Sequence, residues 1–221
     1  MSKKAMPIGT TSVALRFDGG AVLAADHRGT VDSDTCFYEY CKETEVPMTL
    51  GMLGTTRAAT IAGPSGEVLR SIEGTLRDRL VEAEEAKTQL ETVEESANHL
   101  CRRYAYVFEP PHVEMIVVGW DDVKKEGAPC ISYCNDMCGH NVKVNVAAGP
   151  GRDHAADILD GHEIGMSEEE VVQLAEQAVL EGAIGYGKKE GSLDVWVFIN
   201  GQIIKTSQLM TEVAKKYGQS L

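Results

Sequence analysis

GTTSVALRFDGGAVLAAD, residues 9–26, decides the fold class. Val13, Leu15 and Phe17 alternate with Ser12, Ala14 and Arg16, the period-two pattern of a strand with one buried face. Asp18-Gly19-Gly20 follows, and its glycines accept the positive φ of a tight turn, so a hairpin is expected. Ala21 to Ala25 is apolar at every position, which predicts a second strand buried on both faces.

Beyond this hairpin the chain from His27 to Thr44 is polar and extended in character. Met48–Gly54 and Arg57–Gly63 read as another hairpin, closed by Ala62-Gly63-Pro64-Ser65-Gly66. Leu69, Ile72, Leu76 and Leu80 then recur at helical spacing, with Glu67, Arg70, Glu73 and Arg77 opposite. The run Glu82, Glu84, Glu85, Glu91, Glu94, Glu95 reads as a solvated helix face leading to a second helix through Leu100 and Tyr104. Pro110-Pro111 ends the helical region. Strands are expected over Val113–Trp120, Cys130–Tyr133 and Val142–Ala148, the last closed by Gly149-Pro150-Gly151. Ser167 with Glu170 three residues on is a capping box, opening a helix whose apolar face is Val171, Leu174, Ala175 and Ala178. Leu193–Ile199 and Gln202–Lys205 form a closing hairpin at Asn200-Gly201. Strands and helices come in blocks rather than strict alternation, so the class is α+β with packed layers in one domain.

Composition sets outer limits. The chain has 221 residues, 34 acidic against 21 basic side chains and a net charge of −13, which argues against a nucleic-acid groove. No stretch approaches the ~20 apolar residues of a membrane-spanning helix, and Met1–Thr10 lacks the apolar core of a secretion signal. The six cysteines are therefore expected as reduced thiols. Cys130, Cys134 and Cys138 with His140 match a zinc site only in part. On a strand, residues four apart sit ~13 Å from each other, so thiols are the preferred reading over metal.

GTTSVALRFDGGAVLAADHRGT, followed by Lys42 and then Ala62-Gly63, resembles the β-type subunits of the 20S proteasome, which are N-terminal-nucleophile hydrolases. The likeness runs from Thr10 to about Ile204, and in its Phe-Asp-Gly-Gly and Ala-Asp-x-Arg steps it is most similar to the caspase-like catalytic β subunit. It implies a four-layer αββα sandwich over residues 10–221, preceded by a leader, residues 1–9, cut at Gly9–Thr10. It further implies threonine-type endopeptidase activity on polypeptides, with no cofactor or metal. The partners implied are other β and α subunits in stacked seven-membered rings, in cytoplasm and nucleus.

Residue by residue, the resemblance implies Thr10 as nucleophile, Asp26 as the buried acid, Lys42 as the catalytic lysine and Gly63 as an oxyanion-hole donor. Thr30 would pair with extended substrate, while Gly29, Tyr40, Ile61 and Ser65 would shape the pocket before the scissile bond. The caspase-like subunit's preference for an acidic substrate residue before the scissile bond rests on a basic side chain where Ile61 stands here, so a preference for an apolar substrate residue is expected at least as readily. The chemistry is coherent. A threonine hydroxyl needs an adjacent base, and a freed α-amine with a reference pKa of ~7.7–8 can serve. A neighbouring ammonium favours the developing alkoxide, and a buried carboxylate keeps that ammonium charged.

Three features depart from active members. Gly149-Pro150-Gly151-Arg152 stands where they carry Gly-Ser-Gly-Ser, removing two hydroxyls. A second family aspartate falls on Lys189 or Glu190, with the nearby serine at Ser192 or Leu193. The connection from Lys42 to Gly63 is also longer. The alternative reading is an unprocessed, non-catalytic β subunit that completes the ring.

Overall fold

The computed structural model describes residues 11–27, 48–62, 76, 78–88, 91–107, 114–135, 140–187 and 190–221. Strands β1 (Ser12–Phe17) and β2 (Gly20–His27) form the expected hairpin, with Gly19 at φ +80° in its turn. β3 (Met48–Leu53) and β4 (Arg57–Ala62) form the second. Helix α1 (residues 76 and 78–86) and α2 (Val93–Val107) follow, then β5 (Glu114–Gly119), β6 (Cys130–Asn135), β7 (His140–Val142) and β8 (Asn145–Ala148). Helices α3 (Arg152–Leu159) and α4 (Glu168–Gly185), strands β9 (Ser192–Ile199) and β10 (Gln202–Leu209), and helix α5 (Met210–Lys216) complete the order.

The strands make two five-stranded antiparallel sheets, sheet A in the order β10-β9-β2-β1-β8 and sheet B in the order β3-β4-β5-β6-β7. Three apolar clusters join the layers. Val13, Leu15, Val22 and Ala24 of sheet A meet Val171, Ala175, Ala178 and Val179 of α4. Ala14, Ala21, Leu23 and Phe198 of sheet A meet Ala58, Ile116, Val118 and Ile131 of sheet B. Leu76, Leu80, Ala97 and Leu100 of α1 and α2 cover Ala59, Met115 and Val117 on the far side of sheet B. The result is helices, sheet, sheet, helices: the αββα sandwich of the N-terminal-nucleophile hydrolase fold. Trp120 seals one end of the inter-sheet layer, its ring 5.7 Å from that of Phe198 and its Nε1 donating to the Gly127 carbonyl at 3.1 Å.

Several expectations hold in detail and several change. β2 is buried on both faces as expected. So is β1, which was expected to bury only one, because Ser12 and Ala14 are small enough to fit between the sheets. The Ser167–Glu170 capping box is present in both directions. The strand expected over Val142–Ala148 is two: β7 pairs in sheet B, the chain crosses at residues 143–144, and β8 pairs with β1 in sheet A. β10 extends past Lys205 to Leu209, and α5 follows unanticipated.

The acidic run is not uniformly a solvated face. Glu84 accepts hydrogen bonds from the N–H groups of Thr55 and Thr56 and from Thr56 Oγ1, pinning the β3–β4 turn to α1. The cysteine expectation is corrected as well: Cys101 of α2 and Cys134 of β6 form a disulfide with Cα atoms 6.4 Å apart. The sheet–helix packing around Leu100 and Met115 brings the two side chains face to face, which spacing along the chain cannot foretell. Cys130 is a free thiol whose pKa is raised by burial and then by the neighbouring Asp121 charge. Cys36, Cys41 and Cys138 lie outside the described residues.

Candidate active site

β1 begins at the end of the sandwich where sheet A faces the start of β5. Asp26, the expected buried acid, is 1% exposed near the end of β2. Its Oδ1 accepts the Thr11 N–H at 2.7 Å, and its own N–H donates to the Thr11 carbonyl at 3.1 Å. The antiparallel register, with Ser12 opposite Ala25, turns this side chain toward the residue next to Thr10. Desolvating a carboxylate is expensive unless it gains hydrogen bonds, and the Thr11 amide supplies one.

Four further ties converge on the same end. Between the sheets, Thr60 Oγ1 donates to Ser12 Oγ at 2.9 Å. Glu114, the first residue of β5 and 8% exposed, accepts the Gly149 N–H at 2.7 Å on Oε2. Its Oε1 takes the Tyr133 hydroxyl at 3.1 Å and is ion-paired with Arg152. Gly149 follows Ala148, the partner of Ser12 in β8, so this carboxylate grips the turn beside the start of β1.

The turn itself is packed without slack. Gly149 has φ +90°, a conformation that disfavours side chains. A Cβ on Gly151 would lie 2.2 Å from Thr11 Oγ1 and 2.5 Å from the Gly182 carbonyl oxygen. A Cβ on Gly182 would lie 2.4 Å from the same Thr11 hydroxyl. Two glycines, one on the turn and one on α4, therefore clasp Thr11. Its buried hydroxyl has no hydrogen-bond partner among the described residues.

Of the site residues expected from sequence, Asp26 is thus placed and partnered. Ile61 lies in β4, in register with Thr49 and Met115. Gly9, Thr10, Gly29, Thr30, Tyr40, Lys42, Gly63 and Ser65 lie outside the described residues, as does Lys189. Ser192 opens β9 opposite His27. Glu114, Tyr133, Ser12, Thr60 and Gly182 were not anticipated. Glu114 had a signal: a carboxylate heading the otherwise apolar run EMIVVG must find partners if the strand is buried. The partial zinc reading loses Cys134 to the disulfide with Cys101.

A protein-family model described as "Proteasome subunit" matches residues 6–198. Among curated proteins, the chain is similar to a proteasome subunit beta of Acidimicrobium ferrooxidans, 28% identical over 185 residues. That match covers 80% of this chain and 64% of the relative, so the chain spans less than two thirds of that relative's length. It is also similar to a proteasome subunit beta of Methanoculleus marisnigri, 30% identical over 176 residues, covering 77% of this chain and 76% of the relative.

Proposed function

The chain belongs to the proteasome subunit family as a β-type member, and from that premise we propose that it is a threonine-type endopeptidase subunit of the 20S core particle. Cleavage at Gly9–Thr10 would release Thr10, whose hydroxyl attacks the scissile carbonyl of an unfolded polypeptide. The freed α-amine takes the hydroxyl proton and returns one to the leaving amine, and water then hydrolyses the threonyl ester. Lys42 favours the alkoxide, Asp26 supports Lys42, and the Gly63 N–H stabilises the oxyanion. Thr30 and Gly63 would receive substrate as an added strand, with Gly29, Tyr40, Ile61 and Ser65 shaping an apolar pocket. Assembly in stacked seven-membered rings with other β and α subunits, in cytoplasm and nucleus, belongs to the same reading.

The observation that carries it is the reciprocal Thr11–Asp26 pairing, which ties a buried carboxylate to the backbone one residue from the nucleophile. A second reading, an unprocessed structural subunit, draws on the Gly149–Arg152 turn. Arg152 is ion-paired to Glu114 where active members carry serine hydroxyls. N-terminal sequencing of the assembled particle, with an epoxyketone probe for Thr10, separates the two. A chain starting at Thr10 and labelled there is expected; one retaining residues 1–9 in the particle overturns the peptidase reading. Fluorogenic peptides with Glu, Phe and Arg before the scissile bond test the pocket, and cleavage of the Glu peptide alone overturns the apolar assignment.

A further inference from the structure

Arg152 is the first residue of α3, and a cation at a helix N-terminus faces the positive end of the helix dipole. Gly151 before it offers no side-chain cap. Its local ion pair, to the solvent-exposed Asp153 at 3.4 Å, is worth little, so its placement is explained by its tertiary partner, the buried carboxylate of Glu114. That carboxylate belongs to the opposite sheet. One oxygen accepts the Gly149 N–H, and the other takes Tyr133 and Arg152, so it grips both ends of a four-residue turn. The turn contains Pro150, which has no N–H, and Gly151, which is packed against Thr11 and Gly182. Moving the turn outward would unpair a buried backbone N–H and unseat Thr11 from its two-glycine clasp.

We propose that Glu114 is a positioning residue for the active centre: through Gly149 and Arg152 it locks the β8–α3 turn against the start of β1. It does by a carboxylate–guanidinium bridge from the other sheet what local hydroxyls in the turn cannot do in this sequence. Its kinetic consequence rests on the threonine-peptidase reading; its structural consequence does not.

Hydrogen exchange of the full chain in its assembled particle, read in peptides covering residues 145–152 and 11–17, tests the lock. Peptides from α4 and β9 serve as controls. Glu114→Ala removes every acceptor, and exchange over 145–152 should accelerate about tenfold or more while the controls hold. Glu114→Gln keeps an oxygen for the Gly149 N–H but gives up the charged bridge to Arg152, so its acceleration should be smaller than that of Glu114→Ala and match that of Arg152→Met. Arg152→Met, which keeps the aliphatic stem, should accelerate the same peptides by about threefold or more and decides the matter if Glu114→Ala fails to assemble. Unchanged exchange over 145–152, or equal acceleration of the controls, overturns the assignment.

In a particle labelled at Thr10, Glu114→Ala should also lower the maximal inactivation rate about tenfold with little change in the half-saturating probe concentration. A loss confined to probe affinity overturns the positioning role. A parent particle that is not labelled at all overturns the peptidase reading instead, and the exchange result then judges Glu114 alone.

Discussion

Thr11 and Asp26 hold each other twice, side-chain Oδ1 to backbone N–H at 2.7 Å and backbone N–H to carbonyl at 3.1 Å, with both residues buried. The carboxylate is thus a structural partner of Thr11 as well as a candidate for the catalytic set. Asp26→Ala leaves the Thr11 N–H unpaired and buried, so urea unfolding should show a loss of about 1–3 kcal/mol. Asp26→Asn retains an acceptor and should lose less than half of that. Equal losses in the two variants would mean that the charge, and not the hydrogen bond, carries the stability.

Gly182 brings α4 against Thr11, the residue before β1. A Cβ there would meet Thr11 Oγ1 at 2.4 Å, Thr11 Cγ2 at 2.6 Å and the Gly151 carbonyl oxygen at 2.9 Å. Gly182→Ala should therefore destabilise by about 1–3 kcal/mol through overpacking. Two of the three atoms belong to Thr11, so Thr11→Ala in the same chain should recover part of the loss. A double-mutant cycle should show coupling of at least about 0.5 kcal/mol; strict additivity would refute the clasp.

The Cys101–Cys134 disulfide closes a loop with a sequence separation of 33 and joins α2 to β6. Peptide mapping without reductant should recover the two cysteines in one cross-linked peptide, with Cys130 alkylated. Reduction should lower stability by about 3–4 kcal/mol if the bridge acts through loop-closure entropy. A Cys101→Ser/Cys134→Ser variant should match the reduced protein and be unaffected by reductant.

At the β10 edge of sheet A, Glu176 of α4 is 2% exposed and accepts from Gln208 Nε2, Lys216 Nζ and Tyr217 Oη at 2.8, 2.7 and 2.7 Å. These bonds fasten β10 and α5 to the core. Burial, then the hydrogen bond to Glu176 and its charge, push the Tyr217 phenol well above its ordinary value. The folded chain therefore holds that proton more tightly than the unfolded chain, whose tyrosine titrates near pH ~10. The contribution is complete below that pH and is lost as pH rises beyond it. Urea midpoints should fall more steeply above about pH 10 in the parent than in Tyr217→Phe; parallel curves would exclude Tyr217 as the cause.

Sequence by itself determined what short spacing encodes. The Asp18-Gly19-Gly20 and Asn200-Gly201 turns appear with Gly19, Asn200 and Gly201 at positive φ, and Ser167 caps α4 together with Glu170. The doubly apolar β2 lies at the centre of sheet A, and the motif around Thr10 and Asp26 led to the family that the matches show. Only the tertiary structure decided which sheet each strand joins. Residues 142–148 read as one apolar run, yet they end sheet B and begin the edge of sheet A, because the chain turns where both sheets present an unpaired edge. It alone paired Glu114 with Gly149 across 35 positions and Cys101 with Cys134, and brought Gly182 onto Thr11. Periodicity and turn chemistry act within a few residues of backbone, whereas these contacts depend on how layers stack, a property of the packed whole.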